Sequence, residues 1–329
     1  MKGTAKTWLL AFALGILLPG AVFSVAEKIY EDKISKESTA ATGETIPRQT
    51  VPQGNGTELL AVLMQDGTVV EMDADTYLVG VVLGEMPTDF EEDALKAQAV
   101  VARTYALKRS TTGRKHPSGA VCTDSNCCQS YRAVADFLAD GGTQEAVDKV
   151  TQAVSGTSNQ VLTYNGALID ATYFSCSGGM TEDALAVWGT DIPYLQAVDS
   201  PGEEKATYYT DTVKFTAGEF ADRLGISAKG LPATWLGKVT HTKGGGVDTM
   251  VIAGKTYGGV ELREMLGLRS TAFTIYAVGE SVHISTKGFG HRVGMSQYGA
   301  EAMAVGGSSY QEILSHYYPG TTIDFYRWN

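Results

Sequence analysis

Positive charge is scarce in this sequence: 26 Lys and Arg stand against 37 Asp and Glu, a formal net charge of −11. No segment gathers basic residues into a face, which excludes a nucleic-acid partner, because neutralising phosphates requires one. No convincing internal repeat is visible. Cysteine is rare, with four in 329 residues. Uncharged apolar runs long enough to cross a bilayer are absent except at the start, where Thr7–Ala26 (TWLLAFALGILLPGAVFSVA) carries no charge. What is present is 43% apolar residues over a length that supports one large domain or two unequal ones.

Twenty uncharged residues reach roughly 30 Å as a helix, the thickness of a hydrocarbon core. Lys2 and Lys6 precede the run, whereas the charges from Glu27 to Lys33 nearly cancel. The positive-inside rule then expects a cytoplasmic stub over 1–6, a transmembrane anchor or export signal over 7–26, and an extracytoplasmic remainder. Residues 27–57, rich in Ser, Thr, Gly and Pro from Ser35 onward, read as a flexible linker, and the folded region is expected over 58–329.

Apolar runs around Asp66-Gly67 predict a hairpin, followed by a short helix capped by Asp73 to Asp75. Three- and four-residue spacing of Ala94, Leu95, Gln98, Ala99, Ala102, Tyr105 and Ala106 predicts a helix over Pro87 to Ser110. Further helices are expected over 136–154, 213–224, 259–268, 296–304 and 309–317. A strand pair hinged at Asn165-Gly166 and alternating strands over 230–260 and 273–284 complete the pattern. This order of elements predicts an α+β fold with mainly antiparallel sheets, and residues 211–271 an inserted small lobe.

Glu85 is the candidate acid. It is expected where an apolar strand meets a helix, with Val81, Val82, Leu83 and Met86 to desolvate it and raise its pKa, as a general acid requires. A helix N-terminal glutamate favoured by the macrodipole is the plainer alternative. The loops SCSGGMTE and GFGHRVGMSQYGA supply Ser175, Ser177, Gly178, Thr181, His291, Ser296, Gln297 and Tyr298 as candidate sugar-binding groups, with tight turns as the alternative.

Three cysteines and a histidine cluster in RKHPSGAVCTDSNCCQSYR. Cys127 and Cys128 are adjacent and do not readily bridge each other, and one bridge to Cys176 would leave two free thiols. His116, Cys122, Cys127 and Cys128, at H-x5-C-x4-C-C spacing, instead supply ligands for a closed structural Zn2+ site. A disulfide and unpaired thiols stay open as alternatives.

Residues 77–107 (YLVGVVLGEMPTDFEEDALKAQAVVARTYAL) resemble the signature of the stage II sporulation protein D family, which has an amidase-enhancer branch of the LytB type. Residues 175–203, 262–275 and 288–304 resemble further blocks in the same order. The resemblance implies a peptidoglycan lytic transglycosylase of sporulation engulfment, acting between forespore and mother cell. It also implies glycan strands freed of stem peptides as substrate, and an amidase and other membrane proteins as partners. It implies the acid at Glu85 and an essential arginine at Arg103, and its clostridial members imply zinc on an H-x5-C-x4-H-C pattern. A non-enzymatic activator of an amidase is the alternative.

Overall fold

The computed structural model describes residues 49–50, 59–112, 115–116, 120–227 and 229–326. Helix α1 (Ala74–Glu85) starts at Asp73, whose side chain accepts from the Thr76 amide. Its residues from Tyr77 to Leu83 are all buried, so it is a helix covered on every side. Helix α2 (Glu92–Thr111) crosses the main core and buries thirteen of its twenty residues. Helix α3 (Val134–Ala139) packs on α1 and α4 (Gln144–Ser155) on α2, and α5 (Ala184–Trp188) follows further along the chain.

The expected single helix over 136–154 is two. Gly141, at φ 93, breaks it, and Thr143 caps α4 by accepting from the Ala146 amide. Likewise 213–224 divides into a strand, Thr210–Thr216, and helix α6 (Ala217–Leu224), which opens on a Thr216–Glu219 capping box. Helices α7 (Gly259–Leu266), α8 (Gln297–Val305) and α9 (Tyr310–Tyr317) fall close to the expected spans.

The strands form small, mostly antiparallel sheets, so the α+β architecture holds. Leu59–Leu63 pairs antiparallel with Val69–Asp73 across the Asp66-Gly67 turn and parallel with Val121–Cys122, which fixes Cys122 on a sheet. Gln49–Thr50, within the expected linker, adds a parallel strand to the same sheet. Gln160–Tyr164 turns back at Asn165-Gly166 and pairs also with Thr322–Phe325. A second apolar cluster gathers Phe215, Phe220, Trp235, Met250, Tyr257, Leu262 and Ile284, under the sheets 210–216/281–287/273–278 and 236–241/247–252/255–258.

The single-pass membrane topology expected above is corrected: among the described residues no helix is long and apolar enough to cross a membrane. The run over 7–26 lies outside the described residues, as do 1–6 and most of the linker.

Candidate active site

Glu85 is the last residue of α1 rather than the end of a strand. An apolar stretch without clear period is compatible with either element, and here burial on all faces, not half-burial in a sheet, explains it. Met86 leaves the helix in an extended conformation and Pro87 follows, so the carboxylate sits at a helix C-terminus. That end carries partial negative charge, which disfavours the carboxylate and gives no support to the macrodipole alternative.

Two glycines of α1 bring a second segment against it. A Cβ on Gly80 would lie 2.2 Å from the Tyr131 ring, and one on Gly84 would lie 3.0 to 3.1 Å from Ser130 and the Tyr131 amide. Only because these positions lack a side chain does the backbone at 130–132 reach α1, where the Arg132 amide donates to the Gly80 carbonyl at 2.9 Å. The same approach aims the Ser130 amide at Glu85 Oε1, 2.6 Å away.

The Tyr173 hydroxyl donates to the same oxygen at 3.1 Å, and the Gln297 amide reaches Oε2 at 3.4 Å. Behind Tyr173 the buried Gln129 donates to its hydroxyl at 3.2 Å and accepts from the Tyr77 hydroxyl at 3.2 Å. Burial pushes the Glu85 pKa above the ordinary carboxylate range, and these three donors pull in the opposite direction without cancelling it. Burial thereby favours the protonated form, and its conjugate base has hydrogen bonds waiting.

Glu85 lines a cleft of about 650 Å³ together with Tyr105, Arg109, Cys127, Cys128, Ser130, Tyr173 and Phe174 on one side of the sequence and Ser175, Tyr208, Phe289, His291, Gln297 and Tyr298 on the other. It is the one carboxylate among the described lining residues. The strand Tyr173–Phe174, parallel to Met295–Ser296, joins the two glycine-rich loops at this wall. Of the expected sugar-binding residues, Ser175, His291, Gln297 and Tyr298 therefore share the cleft with Glu85.

His291 is packed between Phe174 and Trp188, ring centroids 5.7 and 5.4 Å away, and its Nδ1 accepts from the Val293 amide. Burial, reinforced by the Arg263 charge, lowers its pKa to about 4. It is neutral near pH 7 and a poor base.

The other expected sugar ligands lie in the scaffold. Ser177, Thr181 and Ser296 are buried, and the structure spends their hydroxyls internally. The Ser177 hydroxyl and amide and the Gly178 amide donate to Glu203 Oε2 at 2.8, 2.7 and 2.8 Å. Ser296 donates to Glu203 Oε1 at 2.5 Å and Ser200 to the same oxygen at 2.6 Å. Thr181 faces the Gln196 and Val198 carbonyls. Glu203, a buried carboxylate saturated with donors, thus ties the two loops together. Beside it the buried Arg292 bonds Glu182 at 3.1 Å and the Ser177, Met180 and Gly244 carbonyls at 2.7 to 2.8 Å.

Arg103 does not face Glu85. Buried in α2, it donates to the Thr157, Gln160 and Val154 carbonyls at 2.7, 3.3 and 3.2 Å and to Asp75 at 3.1 Å. It closes the C-terminal end of α4 and ties that end to the start of α1, so its geometry is that of a structural ion pair.

The expected metal ligands do converge. The donor atoms of His116, Cys122, Cys127 and Cys128 all lie within 4.8 Å of one another, and His116 Nε2 is 3.6 Å from both Cys127 Sγ and Cys128 Sγ. Tetrahedral zinc with its usual bond lengths separates a nitrogen from a sulfur ligand by about 3.5 Å, so the donor set and its spacing fit the ion. All four cysteines are thiols, without a disulfide. Cys176 stands apart, with its pKa pushed up to about 11 by burial and the Glu203 charge, and has no thiolate to offer near neutrality.

The family model for the stage II sporulation protein matches residues 65–164, which hold Glu85, Arg103 and the metal-type cluster. The chain is 38% identical to stage II sporulation protein D of Bacillus subtilis (strain 168) over 98% of its own length and 96% of that protein's. It belongs to the stage II sporulation protein D family. The protein of the same name from Bacillus amyloliquefaciens is 40% identical over 78% of this chain and 75% of its own. An amidase enhancer of Bacillus subtilis (strain 168) is 30% identical over 76% of this chain, which spans 40% of that longer protein. Membership places the chain in sporulation. Sequence reasoning did not find Ser130, Gln129, Tyr173 or Glu203, because none stands in a spacing that distinguishes it from an ordinary loop or strand residue.

Proposed function

We propose that this chain is a lytic transglycosylase of sporulation engulfment, cutting peptidoglycan strands whose stem peptides have been removed. The bond broken joins N-acetylmuramic acid to N-acetylglucosamine, and the product carries a 1,6-anhydro ring on the muramic acid. The observation that carries the reading is a single desolvated carboxyl group in the cleft, with no second carboxylate among the described lining residues.

Hydrolysis of a glycoside ordinarily uses two carboxyl groups, one for the leaving oxygen and one for water or for nucleophilic attack. A transglycosylase of this kind needs one. Protonated Glu85 gives its proton to the glycosidic oxygen as the bond breaks. The Glu85 carboxylate then takes the proton of the sugar's own 6-hydroxyl, whose oxygen closes on the anomeric carbon. Ser130 N–H, Tyr173 O–H and the Gln297 amide stabilise the carboxylate between the two transfers, in the manner of preorganised donors aimed at developing charge. Ser175, His291 and Tyr298, which line the same cleft, are the groups that would flank a bound strand.

The cysteine cluster belongs to the frame. We assign it a structural Zn2+ held by His116, Cys122, Cys127 and Cys128, a full tetrahedral set that leaves no ligand position for substrate. Its role is to fix the loop that runs two residues on to Ser130. Arg103 enters the reading as a positioning residue for α1.

The amidase-enhancer relative favours a second reading, a wall-binding activator of a partner amidase that makes no glycan product of its own. Digestion of peptide-free glycan strands, analysed by mass spectrometry, separates the two. The transglycosylase yields 1,6-anhydro ends that Glu85→Gln does not, whereas an activator yields none with either protein.

A further inference from the structure

Arg109 is the one arginine or lysine among the described residues that line the cleft. Its setting differs from that of the other cations near it. The neighbouring Lys108 donates to Asp170 Oδ2 at 2.9 Å and also to the Leu168 carbonyl at 3.1 Å. Arg109 meets the same carboxylate on its other oxygen at 3.6 Å, a distance beyond a good charge-assisted hydrogen bond. Asp170 is therefore principally committed to Lys108. Lys115 donates to the Cys127 carbonyl at 2.6 Å and does not line the cleft.

The guanidinium lies 5.0 Å from the centroid of the Tyr105 ring, which also lines the cleft. The aromatic face holds the cation in place, and the Tyr105 hydroxyl also takes a hydrogen bond from Arg109, so with the longer Asp170 contact only part of its five N–H donors is used and the rest can meet a carboxylate. The side chain is 29% exposed, so the charge is partly desolvated yet reachable. In a protein of net charge −11, a single oriented arginine in the cleft is a selective feature rather than one sample of a basic surface.

We infer that Arg109 recognises a carboxylate borne by the sugar strand, and so sets the specificity of the cleft. The inference rests on the glycan reading above. A muramic acid residue carries an O-lactyl carboxyl group. While a peptide is attached, that group is a neutral amide; hydrolysis of the amide frees an anion. A bidentate contact from Arg109 rewards the anion and not the amide, which makes the preference for peptide-free strands a property of one residue.

The test is calorimetric binding with the chain carrying Glu85→Gln, so that turnover does not interfere. One ligand is a muramic-acid-containing oligosaccharide with free lactyl carboxylates; the other is the same oligosaccharide as its methyl ester. The free acid should bind at least about tenfold tighter, the ratio expected of one charge-assisted hydrogen-bonded contact. Adding Arg109→Gln should erase the difference, and Arg109→Lys should keep part of it, because the ammonium retains charge without the fork. Thermal unfolding of each variant reports its fold, and Arg109→Lys serves if Arg109→Gln does not fold.

Equal affinity for acid and ester in the Glu85→Gln chain overturns the inference, as does an undiminished preference in Arg109→Gln. The parent reading fails differently. A carboxylate preference that depends on Arg109 in a protein that forms no anhydro ends would refute the transglycosylase alone.

Discussion

Replacing Tyr173 with Phe tests how the cleft tunes its acid. The phenol gives its one O–H to Glu85 Oε1 at 3.1 Å, leaving the Ser130 amide at 2.6 Å and the Gln297 amide at 3.4 Å when it is removed. A hydrogen bond to a charged group contributes about 1.5–3 kcal/mol. At 3.1 Å this one is longer than a strong O–H to carboxylate bond, so we take the low end, about 1.5 kcal/mol, which is close to one pKa unit. The donor favours the ionised form, so its loss moves the Glu85 pKa further up. In the proposed mechanism activity requires the protonated acid, and the descending limb of kcat/KM against pH should therefore shift to higher pH by about one unit. The substitution also takes from the buried Gln129 the oxygen to which it donates, at a cost of about 1 kcal/mol and a Tm lower by about 2–4 °C. Stability has its own sign. Because the folded carboxyl is raised, the stability linked to it is complete below the unfolded carboxylate pKa and is lost as pH rises through the folded one. Tyr173→Phe should widen that window upward. A folded Tyr173→Phe protein whose descending limb stays in place or moves to lower pH would refute the reasoning.

Other substitutions probe the frame. Arg292→Leu leaves Glu182 buried without its cation and should cost about 3–5 kcal/mol, read as a lower urea midpoint, while Arg292→Leu with Glu182→Leu should recover much of the loss. Elemental analysis should find about one zinc per chain, and Cys122→Ser should lower both metal content and Tm; Cys127→His, another zinc-type ligand, should keep both.

Much of the fold was legible because caps and turns are local. Asp73, Asn165-Gly166 and the alternation over 230–260 each act within a few residues and appear where expected. The failures are of two kinds. Apolar runs buried on every side lose their period, so the sequence reads as a short helix capped at Asp73 and the end of a strand just before Glu85, whereas the helix runs on through Glu85. Polar groups in glycine-rich loops announce hydrogen bonding but not its partner. Ser177, Thr181 and Ser296 turn inward, to Glu203 and to backbone carbonyls, while Gln297, next in the chain to Ser296, reaches Glu85. Arg103 shows the same limit over a longer range, since its partners at Val154, Thr157 and Gln160 lie more than fifty residues away. The desolvation of Glu85 was legible for a reason that survives the change from strand to helix: its apolar neighbours bury it in either element. The convergence of the metal-type cluster was legible because three of its four residues are cysteines, side chains with few other uses at such density.

The most direct measurement is digestion of peptide-free glycan strands in water enriched in oxygen-18, followed by mass spectrometry of the ends. The account predicts 1,6-anhydro-muramic acid without isotope from the native protein, because the sugar's own hydroxyl closes the ring, and no such ends from Glu85→Gln. Reducing ends labelled with oxygen-18, or anhydro ends formed equally by Glu85→Gln, would contradict it.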